Sequence, residues 1–140
     1  MVNKSVILRK ISHIRHNLSR LKGKENIFLD SLTNDLDMQD IVLHNLQLAI
    51  QGCIDIGSHV ISDEGWGVAG SLNEIFYILQ KKGVIQAEMV EKMISMVGFR
   101  NILVHEYETI NFDIVCNILQ HHLKDINEYL LAIVNRFKLD

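Results

Sequence analysis

The sequence predicts an all-α fold, an antiparallel bundle of about five helices, and three observations carry that reading. Proline is absent, apolar residues make up 48% of the chain, and they recur at spacings of three and four over long stretches. Proline would interrupt such stretches, and a repeat near 3.6 residues is what a helix needs to bury one face. A chain of 140 residues lies in the usual size range for one domain, so a single domain over residues 1–140 is expected.

Ile7, Ile11, Ile14, Leu18 and Leu21 form one stripe and predict a first helix over about residues 4–22, ended by Gly23. A short helical piece with Phe28, Leu29 and Leu32 follows, before a break at Asn34 to Asp37. Val42, Leu46, Ala49, Cys53, Ile56 and Val60 then predict a second long helix, capped by Asp37 and ending near Ser62. The stretch from Asp63 to Gly70 lacks the lysine and hydroxyl residue of a phosphate-cradling loop, so it reads as a connection from which Trp66 packs back onto the helices. Ser71 with Glu74 three residues on is a capping box for a helix carrying Leu72, Ile75, Phe76 and Leu79 and stopped at Gly83. From near Gln86 the positions Met89, Val90, Met93, Val97 and Ile102 predict the next helix. Asn111 caps the last one, whose apolar repeat runs unbroken from Ile114 to Phe137.

The net charge of −3 argues against a generally basic nucleic-acid binder, but the distribution is uneven. Seven of the 14 Lys and Arg residues, Lys4, Arg9, Lys10, Arg15, Arg20, Lys22 and Lys24, precede the first acidic residue, Glu25. Such a run is either a solvated helix face or a surface that attracts phosphate. No charged-then-apolar leader and no apolar run long enough to span a bilayer are visible, so a cytoplasmic protein with no membrane role is expected. Cys53 and Cys116 sit in apolar periodic positions and read as free thiols.

His13 with His16, His121 with His122, and the isolated His44 and His59 lack cysteine or carboxylate partners at metal-ligand spacing, so neither a metal nor another cofactor is expected. Chemistry concentrates instead between Arg100 and Tyr107, where Arg100, Asn101, His105 and Tyr107 fall within eight residues. A guanidinium can hold phosphate oxygens and offset charge that builds in a transition state, while imidazole titrates near neutrality and can move protons. On an ideal helix Arg100 and His105 point about 140° apart, whereas Arg100 and Tyr107 share a face to within about 20°. Either the helix ends near Val104 and turns the imidazole back, or a second chain supplies the complementary group. The residues alone also permit a purely structural role, with His105 and Tyr107 finishing the helix and Arg100 paired to a carboxylate such as Asp55 or Glu106.

The spacing Arg100, four residues, His105, one residue, Tyr107 resembles the signature of the HEPN superfamily, in particular the HepT-like toxins of bacterial toxin–antitoxin pairs. Asn45-Leu46-Gln47, Cys53-Ile54-Asp55-Ile56 with His59, the Gly65-Trp66-Gly67 turn, Phe76 with Leu79, and Met96 through Asn101 extend the likeness over most of the chain. The resemblance implies a HEPN-like bundle that homodimerises around the motif and cuts RNA without metal, with tRNA the expected substrate class. Arg100 would stabilise the phosphate, His105 would be the acid–base group, and Asn101 would help to position them. Tyr107 would accept AMP from an MntA-type nucleotidyltransferase antitoxin, and Asp55 would orient Arg100. Two other readings stand beside it: a noncatalytic HEPN module that binds a nucleotide or partner protein, and a metal-dependent enzyme built on the scattered histidines.

Overall fold

The computed structural model describes residues 1–139, and every regular element among them is helical. They are α1 (Lys4–Leu21), α2 (Leu29–Thr33), α3 (Leu36–Glu64), α4 (Leu72–Lys81), α5 (Ala87–His105), α6 (Phe112–His121) and α7 (Leu123–Phe137), with a 3₁₀ turn, Tyr107–Thr109, after α5. The expected count of about five rises to seven for two reasons. The short piece is a helix in its own right, and the last long helix is two. At His122 the backbone leaves helical values (φ −120°, ψ −3°), and the Asp125 N–H reaches back to His122 O in a tighter turn than the α-helical ladder. The His122 and Asp125 side chains, 2.9 Å apart, lie over that turn. No glycine or proline marks it, and the apolar repeat passes through unbroken.

The 29-residue α3 is the spine, with α1, α2, α4, α5 and α7 packed around it. Its six predicted apolar positions, Val42, Leu46, Ala49, Cys53, Ile56 and Val60, are all fully buried. It starts two residues earlier than expected: Asp35, not Asp37, accepts the Met38 N–H and is the cap, and the helix runs past Ser62 to Gly65, whose φ of 67° suits glycine. α1 lies antiparallel against it. The Met1 amino group donates to Asp63 O, Ile14 meets the Gly52 face, and Asn17 donates to Asn45 Oδ1 at 3.2 Å. Asn17 thus holds the buried seam position, and the apolar neighbour expected there, Leu18, is only half-buried.

Ser71 caps α4 as predicted, accepting the Glu74 N–H at 3.1 Å, while Glu74 returns to Gly70 N rather than to its own cap. Asn111 accepts the Asp113 N–H at the start of α6. Trp66 does pack back, 6.5 Å from the Phe137 ring, and both cysteines are free thiols.

Gly57 sets how closely the other side of the bundle approaches α3. A Cβ there would lie 2.6 Å from Ile75 Cγ2 of α4 and 3.2 Å from the Tyr129 hydroxyl of α7, which itself donates to Cys53 O. We expect Gly57→Ala to destabilise by about 1–3 kcal/mol, since neither buried neighbour can yield without moving its helix. Thermal unfolding followed by circular dichroism should read this as a lower Tm; an unchanged or higher Tm would mean that α4 gives way freely.

Candidate active site

α5 runs unbroken to His105 and ends there without glycine: Glu106 leaves helical geometry and its N–H bonds to Ile102 O at 2.8 Å. His105 therefore does not turn back toward Arg100. Within one chain the two remain on different faces of the helix. The 3₁₀ turn takes Tyr107 out of helical register, so it does not share Arg100's face as a straight helix would require. Instead its ring lines a groove with Asp40 and His44 of α3.

Arg100 is half-buried and held by two bonds. Its Nε donates to Gln51 Oε1 at 3.0 Å, and its Nη1 donates to Asn101 Oδ1 at 3.0 Å. Gln51 in turn donates from Nε2 to Asp55 Oδ1 at 2.9 Å, one helical turn along α3. Asp55 thus reaches Arg100 through Gln51, not directly, and the ion pairs among the described residues involve His59, Lys92 and His122 but not Arg100. This matters for anion binding. A carboxylate directly on the guanidinium would offset its charge, whereas a neutral amide fixes its plane and leaves the charge and the Nη2 edge for a phosphate.

His105, Tyr107 and the apolar Val104 between Leu103 and His105 are all exposed, Tyr107 by 51%. The Tyr107 phenol is held above the usual tyrosine range, first by partial burial and then by the neighbouring Asp40 carboxylate. It is a neutral hydroxyl at physiological pH. Among the described residues no three or more His, Cys, Asp or Glu side chains gather into a metal-binding group.

Two residues of this neighbourhood were not singled out from the sequence. Gln51 lies 49 positions from Arg100, and Asp40 is still farther from Tyr107. The signal available for Gln51 was its place one turn before Asp55 on the same helix face.

The fold and this surface define a helical bundle that presents Arg, Asn, His and Tyr at one helix end, the layout of a HEPN-type nuclease. The chain belongs to the Ribonuclease HepT-like family, whose model matches residues 14–133. It is 32% identical over 130 residues to a protein of Shewanella oneidensis named mRNA nuclease HepT, covering 91% of this chain and 96% of that one. It is also 32% identical over 135 residues to the tRNA nuclease HepT of Aphanizomenon flos-aquae, covering 91% and 92%. A solved structure of the tri-AMPylated Shewanella oneidensis HEPN toxin in complex with MNT antitoxin superposes with a TM-score of 0.85 at 31% identity, over 96% of this chain and 99% of that one.

Proposed function

We propose that the chain is a single-domain, metal-independent endoribonuclease toxin of a bacterial toxin–antitoxin pair, acting as a cytoplasmic homodimer and cutting tRNA. The Asp55–Gln51–Arg100–Asn101 chain of hydrogen bonds supports this best, because it fixes the guanidinium through neutral amides and leaves its charge free for a phosphate. Arg100 holds the scissile phosphate and Asn101 keeps its fork aligned. Cleavage then uses the RNA's own 2′-hydroxyl. One His105 removes its proton as the oxygen attacks phosphorus, and a second His105, across a two-fold axis, protonates the departing 5′-oxygen. The products are a 2′,3′-cyclic phosphate and a 5′-hydroxyl, so no outside reactant is consumed. Exposed Val104, the neighbour of His105 in the chain, offers that axis an apolar contact.

Tyr107 is the AMP acceptor, and an MntA-type nucleotidyltransferase is the antitoxin that modifies it. The similar AMPylated toxin–antitoxin complex supports this assignment. The two relatives' names divide between mRNA and tRNA, so substrate class is read directly by sequencing RNA ends during brief induction in a bacterial host. New 5′-hydroxyl ends concentrated in tRNA are the expected result. Ends confined to mRNA would move the substrate class, and no new ends together with normal growth would remove the toxin reading.

Gln51 tests the site from behind. Gln51→Ala should lower kcat about tenfold with little change in KM and under about 1–2 kcal/mol of lost stability, since it frees the guanidinium without removing it. Unchanged kcat in a folded variant would mean that Arg100 needs no such hold.

A further inference from the structure

Three of the six histidines outside the motif share one surface: His13 and His16 on α1, and His44 on α3. All three face one continuous groove along the α1–α3 seam. Its larger part, about 660 Å³, is lined by His16, Arg20, Asp40, His44 and Tyr107, and its smaller part, about 310 Å³, by Lys10, His13, Gln51 and Asp55. His16, Asn17 and Leu48 border both parts. The groove therefore runs from the tyrosine of the motif to the glutamine that holds Arg100.

Its chemistry is specific. Lys10, His13, His16 and Arg20 follow at spacings of three, three and four, so α1 lays them along one face over about 15 Å. The floor is the buried Asn17–Asn45 amide pair, with Asn45 Nδ2 also donating to Ile41 O at 2.7 Å. The groove's two carboxylates stand near its ends, Asp55 bonded by Gln51 and Asp40 beside the Tyr107 phenol. The stretch between them carries cations, imidazoles and amides beside the apolar Ile14, Ile41, Leu43 and Leu48. The polar groups suit phosphates and the edges of unpaired bases, and the apolar ones suit the faces of those bases.

We propose that the α1–α3 groove is a binding track for single-stranded RNA flanking the cleaved phosphate, with Lys10 and Arg20 on backbone phosphates and His13, His16 and His44 on bases or sugars. This deepens the ribonuclease reading and rests on it for direction: the strand leaves the Arg100 site along the groove. It also resolves the two meanings of the basic N-terminal run, because only one face of α1 contributes. Arg15 and Lys22 lie on the other face, beside Glu25.

The test measures equilibrium binding of a short labelled single-stranded RNA of mixed sequence in a His105→Ala background, where cutting does not interfere. Lys10→Gln with Arg20→Gln should weaken binding about tenfold and flatten the dependence of log Kd on log salt by about 1.4. Arg15→Gln with Lys22→Gln serves as the charge-matched control and should change either quantity far less. Equal losses in the two pairs, or no RNA binding by the protein with its groove intact, would overturn the track. In the cleavage-competent protein the groove pair should raise KM and spare kcat. RNA that is bound through the groove and never cut by the native protein would instead defeat the ribonuclease reading while leaving the track standing.

Discussion

His105→Ala is expected to slow RNA cleavage by about 10²–10⁴-fold, the range that a positioned proton-transfer group contributes. Stability should barely change, because the imidazole is exposed at the last residue of α5 and supports no packing. The variant also reports on geometry. Arg100 and His105 diverge on the straight helix, and the proposed cleft draws its groups from two copies, one imidazole taking a proton and the other giving one. Mixing native protein with increasing His105→Ala protein, under exchange of subunits, should then lower activity as the square of the native fraction. A fall in simple proportion would mean that each copy cuts alone, and the shared cleft would be lost with it. Retained cleavage by the pure variant would remove imidazole from the chemistry altogether.

The fold was legible wherever a helix buries a regular stripe. Val42 through Val60 on α3 needed no structure to be placed in the core, and Ser71 and Asn111 could be recognised as caps from their chemistry alone. The errors have local causes. Asp35 and Asp37 are both cap-forming residues by type, and only the backbone shows that Asp35 is the one left outside the helix and bonded to Met38 N. The break at His122 is invisible to periodicity because it offsets the backbone without losing apolar spacing. Asn17 stands outside the predicted apolar stripe, and its partner across the seam, Asn45, makes its burial tolerable.

The site divides in the same way. Arg100, Asn101 and His105 lie on one helix, so their angular relation could be read from the sequence, including their failure to converge. Gln51 and Asp40 act on the motif from α3, and a contact across 49 positions leaves no trace in local spacing. The groove joins both kinds of information. Lys10, His13, His16 and Arg20 could be seen as one helical face, but that this face looks onto Tyr107 and Gln51 follows only from how α1 lies on α3.

Tyr107→Phe should be an all-or-none change for regulation and a small one for catalysis. Incubated with ATP and the cognate nucleotidyltransferase, the native protein should gain mass in AMP increments, while the variant gains none because the attacking oxygen is gone. The phenol is protonated near neutral pH, so transfer must remove that proton as the phenol oxygen bonds the α-phosphorus of ATP and pyrophosphate departs. Once attached, the adenylyl group carries an anion and a base into the mouth of the α1–α3 groove, where an RNA phosphate would otherwise enter, adding repulsion to steric exclusion. A cell that expresses the Phe variant beside the antitoxin should therefore lose growth as if the antitoxin were absent. Mass spectrometry that still finds AMP on the variant would relocate the acceptor. Full silencing without any adduct would show that the antitoxin acts by covering the cleft, and the covalent route would fall.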